Sequence, residues 1–555
     1  MVITQVMAKK IMMTRNQLPV EARKNESKPR RLKHFYGLLL CVIAVGVFFR
    51  FYEIDRQIYW NDEVYTSLRV SGYRLAEIEE ELRDSKVVQV GEMAKYQQPA
   101  INKTVVDTVG GLIEEEPQVA PLYFVLTRLW VRCFGSSTTV FRLLSAIVSV
   151  LTLPLVFWLC VELFNSVEVS WIATALVAVS PAQVVFAQEA RPYSLFVMFA
   201  LLASVCLLRA LRVKSKVSWA FYGVTVVLGL YTQVFFGFVA AGHAVYVFGI
   251  NRSLICRATV PYIAVSSVSL LAFGPWLLVM FGGSGPKGTS WTHTHQSFLD
   301  CATRWAGIVS RAFVDFGVAP TDSLQAKLAV MPVIALVLLF VAYSVYFLIR
   351  NSKIEEWLFV VTLVCSVALV LFLMDVTMGR RYGTTRYILA SVVGLQISCA
   401  FLIASVMKKC AGRRAHRRVM AALGGLLFLI GGVSCIQHAH AGMWWNKAPG
   451  KYQDYPRIAE VLNAATDPVV FCSGPWRFTQ MLCHELEPNV RICLVQRMPL
   501  EVIRGQASEV FLFFPPDSEL ESEIDAEEVN ALKNNPVVEQ RLGDLWQVVS
   551  DTGRE

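Results

Sequence analysis

Residues 35–65 read FYGLLLCVIAVGVFFRFYEIDRQIYWNDEVY: an apolar run followed by Tyr59-Trp60-Asn61-Asp62-Glu63-Val64-Tyr65. The run at 35–52 approaches the length of about 20 apolar residues that a membrane-crossing helix needs. Two adjacent carboxylates stand just beyond it. Acids so close to a membrane boundary are costly unless they are used. Which side they face, and what else points at them, decides the reading of the chain.

Of 555 residues, 55% are hydrophobic and only 17% are charged, against about 25% charged in a soluble domain. Mean hydropathy is +0.47. Apolar runs recur from residue 35 to residue 437, which predicts an α-helical polytopic membrane protein. The first run follows a basic tail, and no small-residue cleavage site comes after it, so it is expected to stay as a signal anchor. The net charge of +9 does not argue for nucleic acid, because the basic residues sit mostly in short loops between apolar runs. The thirteen cysteines show no metal-ligand spacing and read as small residues inside spans.

Charge sets the expected topology. The tail, 1–34, carries nine Lys and Arg against Glu21 and Glu26, a net of +7, and is expected to be cytoplasmic. The first span then delivers Asp62 and Glu63 to the outside. The next apolar piece, 120–134, is short and contains Arg128 and Arg132. If it does not cross, spans fall near 140–163, 169–187, 193–211, 217–232, 233–250, 258–281, 327–349, 355–374, 386–406 and 419–437. The clusters around Arg209 to Lys216, Arg252 and Arg257, Arg350 and Lys353, and Lys408 to Arg418 then all lie inside. If it does cross, all of them lie outside. The piece is therefore read as an external interfacial helix, and the count is about 11 spans.

The expected organisation is a basic tail (1–34), a transmembrane catalytic domain (35–439) with external loops 53–139 and 282–326, and a C-terminal region (440–555). That last region changes character. Tyr452 to Asn463 reads as an amphipathic helix, and Pro468 to Ser473, Val490 to Val495 and Glu509 to Phe514 as short buried strands. A small extracytoplasmic α/β domain is predicted, with one disulfide open among Cys472, Cys483 and Cys493.

This topology brings four features to one face: Asp62-Glu63; PQVAPLY at 117–123; SPAQVVFAQEARPY at 180–193; and MGRRYGTTRY at 378–387. In the last, Arg380, Arg381 and Arg386 stand where the positive-inside rule disfavours them. Three guanidiniums there suit a phosphate or pyrophosphate held bidentately, or lipid headgroups and loop acids. Asp62 and Glu63 read either as the first turn of a helix or as a general base that takes a proton from an acceptor hydroxyl. Glu189 and Arg191 read as a local ion pair or as a wall of the same site. His293 and His295 read as surface histidines.

These pieces together resemble the GT-C membrane glycosyltransferases, nearest the group holding the protein O-mannosyltransferases and the bacterial lipid A aminoarabinose transferase. The resemblance rests on YWNDEVYTS (59–67), APLYFVLTRLWVRCFGSSTTVFRLLSA (120–146), SPAQVVFAQEARPYSL (180–195) and TRYILA (385–390), and spans about residues 35–440. Two places differ: Val119-Ala120-Pro121 replaces the usual His-Pro-Pro or Lys-Pro, and Glu189 stands at a different offset from the second acid of some members.

The resemblance implies a polyprenyl-phosphate sugar donor, inverting transfer to a lipid, glycan or protein hydroxyl, Asp62 as base with Glu63 beside it, and Arg386 with Arg380 or Arg381 on the lipid phosphate. Glu189, Arg191, Tyr193 and Tyr387 complete the expected substrate-binding set. A divalent metal is left open as cofactor, and nucleic acid is not expected as a partner. The expected location is the plasma (bacterial inner) membrane, with the site on the periplasmic side. Two other classes stay open: a flippase or transporter of lipid-linked sugars, which would favour central charges and inverted repeats, and an oligosaccharide ligase or polymerase.

Overall fold

The structure is a computed structural model that describes residues 28–82, 86–252, 259–282, 295–318, 322–409, 414–473, 475–495, 509–515 and 538–548. His293 and most of the basic tail lie outside them; His295 is exposed. The main helices are α1 (Lys28–Phe51), α2 (Asn61–Ser71), α3 (Val105–Glu115), α4 (Leu122–Phe134), α5 (Thr138–Phe164), α6 (Val167–Ala178), α7 (Pro181–Ala187), α8 (Tyr193–Val213) and α9 (Lys216–Thr232). They continue as α10 (Phe236–Asn251), α11 (Thr259–Gly282), α12 (Phe298–Ser310), α13 (Leu324–Asn351), α14 (Ile354–Met378), α15 (Leu389–Lys409), α16 (Arg414–His440), α17 (Tyr455–Ala464) and α18 (Trp476–Cys483).

Among the described residues, eight helices are long and apolar enough to cross a membrane, or nine if the bent pair α6–α7 is one span. The expected eleven segments are all helical, but they do not all reach that length. The α9 and α10 helices have 17 and 16 residues, or roughly 25 Å at 1.5 Å per residue, short of a full hydrocarbon core. The pair α6–α7 bends by 56° where Pro181 opens α7, because proline cannot continue the preceding helix. Ser180 at the bend donates to the Ala312 carbonyl at 2.8 Å.

The α4 helix, the ambiguous apolar piece, has 13 residues and is far too short to span. One face is buried through Tyr123, Phe124, Thr127 and Arg128. Arg128 is fully buried and donates to the carbonyls of Val70 and Lys103, which ties α4 to the loop that carries α2.

α2 is held at both ends. Gly72 ends it in the left-handed conformation (φ 86°), which a glycine adopts without steric cost. Near that end Arg69, 1% exposed, pairs with Glu115 at 2.6 Å and Glu116 at 2.8 Å. Of the apolar residues of α2, Val70 packs with Val131, Phe141 and Ala190. Val64 and Leu68 pack instead with Ile458, Val470, Phe478 and Met481, so α2 is shared with the C-terminal region.

That region holds a mixed sheet of six strands: β1 (Val87–Gln89), β2 (Pro468–Ser473), β3 (Arg491–Val495), β4 (Glu509–Phe513), β5 (Val538–Leu542) and β6 (Leu545–Val548), in the order β1-β3-β2-β4-β6-β5. The pairs β2–β3 and β2–β4 are parallel; the outer pairs are antiparallel. The strand β2 is buried along its whole length, as a central parallel strand must be. The strand β1 comes from the first long loop and pairs Val88 with Ile492. The sheet is thus built from two distant parts of the chain. Cys472, Cys483 and Cys493 are all buried and free.

Candidate active site

Consecutive residues at the start of α2 point to different surroundings, about 100° apart around the helix. Asp62 keeps 19% of its side chain exposed. Glu63 is wholly buried. The two acids therefore face different partners.

Glu63 is saturated. Its Oε1 accepts from Arg142 Nε at 2.8 Å and from the Ala190 amide at 2.9 Å. Its Oε2 accepts from Arg142 Nη2 and from Lys447 Nζ, both at 2.7 Å. Burial opposes its charge, but Arg142 and Lys447 outweigh burial and hold the carboxyl down at about 2. Arg142 also takes the carbonyls of Ile54, Gln57 and Ile58 at 2.9–3.0 Å, fixing the turn that leads into α2. A carboxylate with four donors has no lone pair to spare for a proton in flight, so Glu63 is an anchor.

Asp62 is the open acid. Its Oδ2 lies 2.6 Å from Arg386 Nη1 and 3.9 Å from Arg191 Nε. Arg191 also donates to the Asp62 carbonyl and to Thr66 Oγ1, each at 3.1 Å. The Tyr193 and Tyr387 rings meet edge to face at 6.4 Å, and each lies beneath its neighbouring guanidinium, Arg191 at 6.0 Å and Arg386 at 5.2 Å. The α4 helix reaches the same place: Tyr123 Oη meets Ser145 Oγ at 2.9 Å, and Ser145 donates to the Arg191 carbonyl at 3.2 Å.

The arginine loop between α14 and α15 is set by an acid that the sequence reading missed. Asp375 is 2% exposed. It accepts from the amides of Tyr382 at 2.6 Å and Gly383 at 3.1 Å, from Arg304 at 2.7 Å and from Trp305 Nε1 at 2.8 Å. Gly383 is required there: a Cβ would come within 2.4 Å of Trp305 and 2.7 Å of Asp375. On this loop Arg381 is half-buried, and its Nε finds no hydrogen-bond partner among the described residues. Burial, with Arg304, Arg386 and Arg311 nearby, pushes its guanidinium below its ordinary value. A cation left in that state is poised for an anion. Arg380 sits half-buried beside it.

Glu189 is buried on the same side. Its Oε1 accepts from Asn446 Nδ2 at 2.5 Å and lies 3.7 Å from Lys447 Nζ, while Oε2 has no hydrogen-bond partner among the described residues. Burial raises its carboxyl above the ordinary range, with Lys447 opposing. Glu189 and Arg191 are thus not a pair: Glu189 turns to Lys447, Arg191 to Asp62. The structure brings Asp62, Glu63, Glu189, Arg191, Tyr193, Arg386 and Tyr387 into one connected neighbourhood. Arg142 and Lys447 are the members that sequence reasoning missed. Arg142 had a signal, since an ionisable residue inside an apolar run marks a site. Lys447, in Trp444-Trp445-Asn446-Lys447, had none. Among the described residues no group of three His, Cys, Asp or Glu side chains could hold a metal ion.

Residues 117–279 match the family model described as dolichyl-phosphate-mannose-protein mannosyltransferase. No curated protein sequence matches the chain. Two crystal structures of ArnT from Cupriavidus metallidurans have the same fold. The one bound to undecaprenyl phosphate superposes with a TM-score of 0.50 at 13% identity over 92% of this chain and 98% of that one. The apo form gives 0.52 at 11% identity over 93% and 98%. The oligosaccharyltransferase AglB from Archaeoglobus fulgidus, in complex with an inhibitory peptide and a dolichol-phosphate, gives 0.45 at 13% identity, covering 82% of this chain and 64% of that one. The expected fold is present: an ArnT-like multi-span membrane fold with a C-terminal sheet region, and the 117–279 segment within it resembles that mannosyltransferase family.

Proposed function

We propose, from the likeness of residues 117–279 to a mannosyltransferase family and from the ArnT-like fold, that this protein moves a sugar from a polyprenyl phosphate to an acceptor hydroxyl, with inversion, on the extracytoplasmic side of the membrane. The observation that carries the reading is the meeting of Asp62, Arg191 and Arg386, from three distant segments, at one partly open point.

The Asp62 carboxylate removes the acceptor proton as the acceptor oxygen attacks the anomeric carbon. The bond from that carbon to the phosphate oxygen breaks, and the polyprenyl phosphate departs with the electron pair. A single displacement by an external nucleophile inverts the anomeric centre. The phosphate gains negative charge in this step and needs cations rather than a proton. Arg386 and Arg381 supply them from the 379–387 loop, with Arg380 beside them. Arg191 steadies the backbone of Asp62. Glu63 holds the helix and takes no part in proton transfer, which narrows the expected pair to one base.

The positive loop clusters support an inside N-terminus and an outside site. The plasma membrane and the periplasmic face are part of the same proposal. The acceptor is a lipid, glycan or protein hydroxyl.

The test is turnover of radiolabelled undecaprenyl-phosphate sugars by the full chain, with mannose first in the panel. Asp62→Asn is expected to lower transfer by about 10²- to 10⁴-fold, and Arg386→Gln by about 10²- to 10³-fold, while both proteins still insert and melt normally. Near-normal transfer by Asp62→Asn would remove Asp62 as the base.

A further inference from the structure

Among the described residues Lys447 is the one ammonium buried beside these acids, and it comes from the segment that opens the C-terminal region. Its side chain is 2% exposed. Nζ lies 2.7 Å from Glu63 and 3.7 Å from Glu189, and 5.4 Å from the centre of the Trp60 ring. Burial pulls its ammonium below the ordinary lysine value, with Glu63 and Glu189 pulling the other way. Lys447 thus lies between two buried carboxylates and shares Glu63 with Arg142.

The segment is bolted in place. Trp444 and Trp445 both donate their indole N–H to Asp315 Oδ2, at 3.0 and 2.5 Å. The Arg311 guanidinium covers the Trp445 ring at 3.8 Å. Asn446 reaches Glu189. Ala448, directly after Lys447, is held at φ 51°, a left-handed conformation that a residue with a Cβ adopts only where its surroundings impose it. Three consecutive polar contacts and one strained residue are more than a linker needs.

We infer that Lys447 is a positioning residue for the transfer reaction. Its ammonium clamps Glu63 in the first turn of α2, and that turn carries Asp62. Rotating the turn would carry Asp62 away from Arg386. In this role Lys447 acts through Glu63, with Glu189 as its second contact. The C-terminal region thus completes the site instead of covering it. This inference rests on the reading of Asp62 as base.

The experiment uses the full chain in lipid nanodiscs, with two readouts: affinity for undecaprenyl phosphate, and kcat and KM for the undecaprenyl-phosphate sugar that the wild type turns over. Lys447→Met is expected to lower kcat by about 100-fold, the cost of displacing a catalytic group by about 1 Å, with undecaprenyl phosphate affinity and donor KM unchanged. Glu63→Gln/Lys447→Met is expected to turn over no more slowly than Glu63→Gln alone, because Lys447 has nothing to clamp once that charge is gone. Lys447→Gln is the fallback if the methionine variant does not fold, with the same split expected. Wild-type kcat in a folded Lys447 variant overturns the inference. So does a double variant whose loss is the product of the two single losses, which would make Lys447 a direct participant. If Asp62→Asn also turns over normally, the functional reading has failed. If Asp62→Asn is inactive and Lys447→Met is not slowed, only the role of Lys447 has failed.

Discussion

At the scale of single residues, the two neighbouring acids separate by partner. Asp62 has an open edge and guanidinium neighbours; Glu63 has four donors and no exposure. A buried carboxylate in this setting makes stability depend on pH. The folded carboxyl of Glu63 lies at about 2, below its ordinary value of 4.5, so folding favours the ionised form. The stabilisation is fully present above 4.5 and is lost as pH falls from there towards about 2. Melting temperature followed over that window should drop in the wild type and drop less in Glu63→Gln. At neutral pH the same variant should cost about 3 kcal/mol, because Arg142 and Lys447 lose the charge that compensates their burial. An acid limb that is identical in both proteins would mean that another carboxylate governs it. The adjacency of the acids was plain in the sequence. Their division of labour was not, because it depends on Arg142, Ala190 and Lys447, which stand 79, 127 and 384 positions away.

At the scale of elements, the loop from Gly379 to Thr384 owes its shape to Asp375 rather than to its arginines. Asp375 receives two backbone amides of the loop and two side chains of α12. Asp375→Asn would place an amide N–H against one of these donors and free the loop. The expected outcome is a roughly tenfold weaker affinity for undecaprenyl phosphate, about 1.4 kcal/mol, with turnover reduced in step at low donor concentration. A titration showing unchanged affinity would mean that the arginines hold their places without Asp375. Elements with a clear period were legible in the sequence: the long apolar helices, the short helix α4, and the β2, β3 and β4 strands. Those that borrow their burial were not. β1 is three residues in a charged loop and forms only because β3 offers an edge. The hairpin β5–β6 follows residues with no alternating pattern. The pair α9–α10 was legible as apolar, but its shortness became visible only once the helix ends were located.

At the scale of the whole molecule, sequence order misleads about what belongs together. Reading the chain from 440 onward as a separate unit follows from its change in composition. The structure runs the contacts the other way. α2 packs its Val64 and Leu68 against Ile458, Phe478 and Met481. His484 lies with its ring 4.4 Å from that of Tyr59. β1 lends an edge to the sheet. Lys447 enters the acid cluster, and Trp444 and Trp445 close over Asp315. Removal of the C-terminal region would therefore expose an apolar face of α2 and leave Glu63 with only part of its charge balance. A chain ending at Ala441 is therefore expected to insert but to melt lower than the full chain, to resist trypsin poorly across residues 53–116, and to show no turnover. If the truncated chain instead kept its donor turnover and its protease resistance, the C-terminal region would be a detachable module, and the acid cluster would have to be held from the membrane side by Arg142 alone.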